Sequence, residues 1–192
     1  MRTPLLQLSV CLLLTLNHCD TPRPPLTAAV FEQPEFSYRA SSLLFFRNTR
    51  SYYYQQLLDT LPPLEVYRWK KYQSRPAEAQ LQPLLVLNIL QDRAVLLAEL
   101  RLADGRRPGS FRLLLERGPD STGYDTLTLH STDPPRHHHR VLARVYQAAE
   151  RGKKIRGIPP GAGAVDLLVA EQERADFCLV VRDYLRLTGA ID

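Results

Sequence analysis

Residues 83–130 read PLLVLNILQDRAVLLAELRLADGRRPGSFRLLLERGPDSTGYDTLTLH, and this stretch decides the fold. Leu84–Leu90 is a continuous apolar run, the signature of a strand buried on both faces. Gln91-Asp92-Arg93-Ala94 reads as a turn. From Val95 the pattern alternates: Leu96, Ala98, Leu100 and Leu102 point one way, and Glu99 and Arg101 the other. Asp104-Gly105 and Pro108-Gly109 mark the next turn. Phe111, Leu113 and Leu115 then share a face opposite Arg112 and Glu116. After a turn at Gly118-Pro119-Asp120, Tyr124–His130 alternates again with Leu127 and Leu129 inward. Short connections between such segments predict an antiparallel meander. The expected fold class is therefore α+β: a central antiparallel β-meander with one or two covering helices.

The flanks follow from this centre. On the N-terminal side, 41–61 (SSLLFFRNTRSYYYQQLLDTL) predicts a helix, or a strand followed by a helix, ended by Pro62-Pro63. Val66, Trp69 and Tyr72 stand among basic residues and predict a short amphipathic piece lying over the sheet. On the C-terminal side, Thr132 or Asp133 is placed to cap a helix over Arg136–Arg151, with Pro134 near its first position. Leu142, Val145, Tyr146 and Ala149 form its apolar stripe, and Gly152 ends it. The last block predicts a hairpin of Val165–Ala170 and Phe177–Tyr184. A helix over Glu171–Leu187 competes, because Phe177, Val181, Tyr184 and Leu185 also fit helical spacing.

The chain has 192 residues, of which 44% are hydrophobic and 23% charged, enough for one domain with a core of its own. Its 15 Pro and the glycine-rich GIPPGAG (Gly157–Gly163) punctuate elements. GIPPGAG lacks the Lys-Ser/Thr of a phosphate loop and the spacing of a dinucleotide fingerprint. At the start, Arg2 followed by the apolar Leu5–Leu16 has the form of a secretory signal, cleaved near Asn17–Thr21 and too short to span a bilayer. The expected organisation is 1–20 signal peptide, 21–40 extended N-terminal segment and 41–192 a single α+β domain. Phe31, Phe36 and Tyr38 are placed to add an edge strand or anchor that segment. Export leaves Cys178 as the one mature cysteine of three, so it is expected to be buried or to form an intermolecular disulfide.

No constellation here carries a reaction. His137-His138-His139 are consecutive, point apart, and are expected to be solvated at a helix start. Ligand pairs on a helix need i, i+4 spacing or convergence from separate elements. A pH-sensing role is the other reading. Cys178 with His130 is the one conceivable nucleophilic pair, yet Cys178 sits in an apolar run, where a thiol is inert. The expectation is a non-enzymatic binding protein with no cofactor and no metal, and a cysteine-dependent hydrolase is the minority alternative. Candidate partner contacts are Tyr52, Tyr53, Tyr54 and Trp69. The formal net charge is +5. Its densest cluster (Arg151, Lys153, Lys154 and Arg156) is either a solvated helix end or a patch for an anionic partner such as heparan sulfate, an acidic protein face or nucleic acid. No aromatics interleave with it, which speaks against single-stranded nucleic acid.

Three stretches carry a family resemblance: AAVFEQPEFSY (Ala28–Tyr38), LLVLNILQDRAVLLAEL (Leu84–Leu100) and VDLLVAEQERADFCLVVRDYLRLT (Val165–Thr188). Together, behind a signal sequence, they resemble the small secreted subunits of cytomegalovirus envelopes. Those subunits join glycoproteins H and L and other small subunits in a pentameric complex used to enter cells. The chain departs from the family in having no Asn-x-Ser/Thr acceptor and a single mature cysteine, so only Cys178 carries over as a structural cysteine. The resemblance implies no catalysis. It implies a secreted or virion-surface subunit, assembled with other protein chains, that shapes host-receptor binding and cell tropism. A free secreted immune-modulating ligand or decoy is the alternative reading.

Overall fold

A computed structural model describes residues 26, 29–32, 36–57, 64–74, 79–118 and 122–191. Along them run helix α1 (Ala29–Glu32), helix α2 (Ala40–Phe45) and strands β1 (Tyr54–Leu57), β2 (Leu64–Trp69), β3 (Gln80–Asn88), β4 (Arg93–Arg101), β5 (Ser110–Glu116) and β6 (Tyr124–His130). Helix α3 (Pro135–Glu150), strands β7 (Ile155–Ile158) and β8 (Val165–Leu167) and helix α4 (Glu171–Leu187) complete them. The expected signal segment, the Pro62-Pro63 stop, Leu58, Leu61 and most of the Gly118–Asp120 turn lie outside the described residues.

The chain is α+β, with a four-stranded antiparallel meander in the order β1-β2-β3-β4. β3 and β4 pair without interruption from Gln80↔Arg101 to Asn88↔Arg93. β4 begins at Arg93, so Arg93 and the buried Ala94, which faces Leu87, belong to the strand and not to the expected turn. The alternation read from Val95 onward holds for Leu96, Ala98 and Leu100, which are buried, as are Leu81 and Leu85. Each such leucine withdrawn from water contributes about 2 kcal/mol. On the outer face Glu99 accepts from Arg68 (3.2 Å) and Arg107 (3.1 Å). The β2–β3 pairing stops at Arg68↔Leu84, next to Pro83, which has no N–H to extend it.

The 83–130 stretch does not stay in that sheet. β5 and β6 belong to a second antiparallel sheet in the order β6-β5-β7-β8, where Leu113 pairs with Leu127 on one side and Gly157 on the other. The 102–109 connection is therefore a crossing between sheets, not a hairpin turn. α3 lies on β4 and reaches β5, β6 and β7, while α4 lies beside it over β3 and β4. Phe111, Leu113, Leu115 and Leu129 meet Leu142, Val145, Tyr146 and Ala149 in one core with the buried face of α4.

Four local expectations are corrected. In 41–61 the order is helix then strand: α2 runs into a π-helical turn (Phe46–Arg50) and a 3₁₀ turn (Ser51–Tyr53) before β1. Val66 and Trp69 lie on β2, inside the meander, because the neighbouring β1 and β3 supply the backbone partners. The final block is a single helix from Glu171 to Leu187, not a hairpin. Its start is fixed by Glu173, whose carboxylate accepts from the Ala170 N–H at 3.3 Å, half of a capping box. α3 begins after Pro134 with Pro135 at its first position and no side-chain cap. Asp133 instead accepts from the His130 N–H at 2.8 Å, closing the turn before the helix.

Of the expected extended N-terminal segment, the described residues 29–32 are helical and residues 36–38 lie along an edge of the meander. Phe36 O accepts from Ala94 N (2.6 Å), and Tyr38 N donates to Asp92 O (3.0 Å), adding a short bridge to the open edge of β4. Phe31, Phe36 and Tyr38 are buried. Further along that edge the Ala98 N–H is taken by His138 Nδ1 at 3.1 Å. Side chain and segment together cover an edge that is otherwise a template for unwanted pairing.

Candidate functional site

The irregular helical stretch from Ala40 to Tyr53 has two sides. Phe46 points in and packs against Tyr54 and Tyr67 at centroid distances of 5.4 and 5.3 Å. Leu44, Phe45, Tyr52 and Tyr53 point out. The π-helical turn inserts a residue into the helical repeat and brings Tyr52 and Tyr53 to the surface beside β2.

These exposed rings are ordered by what lies beneath them. Tyr53 stacks on Trp69 at 5.7 Å with an interplanar angle of 29°, and Trp69 meets Tyr54 edge-on at 5.1 Å. Tyr52 meets Tyr53 edge-to-face at 5.6 Å. Lys70 Nζ sits 4.8 Å above the Tyr52 ring and donates to the Tyr52 carbonyl at 2.6 Å. The Arg50 guanidinium lies 5.0 Å from the Tyr53 centroid, and its nitrogens reach both Asp183 oxygens at 2.9–3.0 Å. Tyr54 Oη donates to the same carboxylate at 2.7 Å. Burial opposes the Arg50 charge, but the Asp183 hydrogen bonds outweigh it and raise the guanidinium above its ordinary pKa. Burial, reinforced by Asp183, pushes the Tyr54 phenol far up, so it stays a donor.

The four candidate contact residues thus divide. Tyr52, 78% exposed, and Tyr53 form a surface; Trp69 and Tyr54, each 3% exposed, are its foundation. Sequence reasoning missed Leu44, Phe45 and Arg50. For Phe45 a signal existed, because adjacent Phe45 and Phe46 cannot both face one core from a helix. Arg50 gave none, since its partner lies 133 positions away.

The basic cluster also divides. Lys154 and Arg156 share Asp166, at 3.9 and 2.8 Å, and Arg156 covers the Tyr124 ring at 5.7 Å. Arg151 and Lys153 stay open beside a depression of about 130 Å³ lined with Glu116, Asp125, Arg144 and Gln147.

His137 is half-exposed, its Nε2 2.8 Å from Thr128 O. His138 and His139 are buried, at 2% and 3% exposure, which corrects the solvated reading. Their positions face the sheets on the inner side of α3, and burial lowers both pKa values. Among the described residues no group of three or more His, Cys, Asp or Glu is arranged to hold a metal. Cys178 is buried at 8% exposure, so a disulfide to another chain requires α4 to open there. Burial, with Glu150 as its neighbour, pushes the thiol up to about 12, the reverse of what a nucleophile needs. No helix among the described residues is long and apolar enough to cross a membrane. Comparison of the chain with protein-family models, curated proteins and solved structures finds no match.

Proposed function

We propose that this chain is an exported, non-enzymatic binding protein that docks another protein through the face made by Leu44, Phe45, Tyr52 and Tyr53. The observation that carries this reading is that Tyr52 and Tyr53 are exposed yet held in place by Trp69, Arg50 and Lys70. An aromatic contact already ordered before binding loses little entropy on association, which is how protein-binding hot spots work. Lys70 at the rim favours a partner whose face is apolar at its centre and acidic at its margin, whereas Arg47 is already paired with Glu65 at 2.9 Å. The resemblance to cytomegalovirus subunits supplies the concrete form: an accessory subunit of a viral envelope complex, with glycoproteins H and L as partner chains and a host receptor as target.

The test is expression in a secretory cell line, alone and with glycoproteins H and L and the companion small subunits. Retention alone, with joint export on co-expression, is the expected result. Replacing Tyr52 and Tyr53 by Ala should lower recovery of the complex at least about tenfold, with Leu90→Ala as an exposed control elsewhere. Efficient release of a stable monomer that ignores those chains overturns the subunit assignment. Complex formation indifferent to both tyrosines overturns the docking face.

A further inference from the structure

The solvent face of α3 carries charge that the fold does not explain. At 100° per residue, Arg136, Arg140, Arg144 and Arg151 fall within a wedge of about 80°, and all four are exposed. The row is about 22 Å long at 1.5 Å rise per residue. Glu150 is turned aside to Arg182 (3.4 Å). Among the described residues Arg136, Arg140 and Arg151 form no ion pair. Arg144 shares Asp125 with Arg117, at 2.7 and 2.8 Å, which places a further guanidinium beside the row. Lys153 flanks its end, and the 130 Å³ depression opens between Arg144, Arg151 and Lys153.

The helix dipole accounts for only half of this. Cations at the C-terminal end, Arg151 and Lys153, are favourable there. Arg136 in the first turn, on a helix with no acidic residue in that turn, meets the positive end of the dipole and is unfavourable. A row in which three of four arginines lack an ion pair, and whose first member weakens its own helix, is explained by a ligand.

We infer that the exposed α3 face binds a linear sulfated polysaccharide of the heparan-sulfate type, with Arg136, Arg140, Arg144 and Arg151 as the contact row. The chemistry selects this class. Guanidinium forks match sulfate and carboxylate oxygens. The row has no exposed apolar centre of the kind a protein interface needs. The apolar stripe of α3 is buried in the core, so the helix cannot insert into a bilayer. No aromatic residue lines the depression, and Tyr124, the neighbour of Asp125, is already covered by Arg156, which leaves no open ring there for base stacking. This surface is separate from the aromatic docking face and does not depend on it.

The test titrates the purified full chain with a size-defined heparin octasaccharide at 0.15 M NaCl, followed by calorimetry. Binding is expected, weakening as salt rises. Arg136→Gln with Arg140→Gln should lower affinity about tenfold or more while leaving the melting temperature unchanged or raised. Arg39→Gln with Arg106→Gln removes the same charge elsewhere and should change affinity less than about twofold. Absence of binding by the wild-type chain, or equal losses in the two double variants, overturns the inference. Equal affinity for a DNA duplex or for phosphatidylserine vesicles overturns the glycan assignment.

Discussion

Arg50 reaches across the fold to Asp183 with three hydrogen bonds of 2.9–3.0 Å, and Asp183 is nearly inaccessible. This pair ties the aromatic surface stretch to α4. Breaking a buried pair from one side strands a charge, which costs about 3–5 kcal/mol. Asp183→Ala and Arg50→Ala should each lower unfolding free energy by about 3 kcal/mol in urea titrations. Arg50→Met combined with Asp183→Leu should lose much less than the sum, because no charge is left alone. Tyr54→Phe removes one hydrogen bond to the carboxylate and should cost about 1.5 kcal/mol. Equal, additive losses in all three would show that the network does not act as a unit.

His138 predicts how stability varies with pH. Its Nδ1 accepts the Ala98 N–H, so protonation there destroys an edge hydrogen bond. Asp133 favours the charged ring and His137 opposes it, but burial dominates and the pKa is depressed from its ordinary 6.5. His139, among Phe31, Phe36 and Tyr184, is depressed by burial too. As pH falls below 6.5 the unfolded chain takes up protons that the folded chain refuses. Stability is therefore full above that value and lost as pH falls toward the folded pKa values. The chain should unfold at lower urea concentration at pH 5 than at pH 7. His138→Asn, which can keep an acceptor for Ala98, together with His139→Phe should flatten the profile. A wild-type slope that survives both changes would assign it to other groups.

The sequence made the inward and outward residues of β4 to β6 legible because a two-residue period has one physical reading on a half-buried strand. It did not reveal which sheet each strand joins. Asp104-Gly105 and Pro108-Gly109 are turn chemistry whether the chain doubles back or crosses over, and the deciding partner of β5, Ile155–Ile158, comes some 40 positions later. α4 was ambiguous for another reason. Phe177, Val181, Tyr184 and Leu185 satisfy a helix, while Phe177–Tyr184 also reads as a strand, and the buried Asp176 and Asp183 disguise the helical stripe. Asp183 makes sense only once Arg50 and Tyr54 are placed beside it. The same holds for His138, whose partner is a backbone N–H, and for Tyr52, whose exposure depends on a π-helical turn that carries no sequence signature.

Cys178 predicts a protected thiol. With the side chain desolvated and its pKa pushed up to about 12, the thiolate fraction at pH 8 is negligible, and reagents must wait for α4 to open. N-ethylmaleimide should label the folded chain at least about a hundredfold more slowly than the chain in denaturant. Cys178→Ala should cost about 1 kcal/mol, the price of a small cavity, and leave every binding activity unchanged. Prompt labelling of folded protein, or its recovery as a disulfide-linked species on non-reducing gels, would contradict this picture.

Gly157 is a close-packed point on β7, between β5 and the edge strand β8 of the second sheet. It pairs with Leu113 on β5 and Val165 on β8. A Cβ there would lie 2.9 Å from Leu167 Cδ1 and 3.6 Å from Val165 Cγ2. Its backbone is not in the left-handed region, so the constraint is space and not conformation. Leu167 is buried and cannot swing into solvent. Gly157→Ala should therefore cost about 1–3 kcal/mol by overpacking, and Gly157→Val more. Leu167→Val alone should also cost about 1 kcal/mol as a small cavity. Combined with Gly157→Ala, however, it makes room for the added methyl, so the double variant should recover about 1 kcal/mol relative to the sum. Strict additivity in that cycle, read from denaturation midpoints at constant m-value, would show that the Leu167 contact is not what makes glycine necessary here.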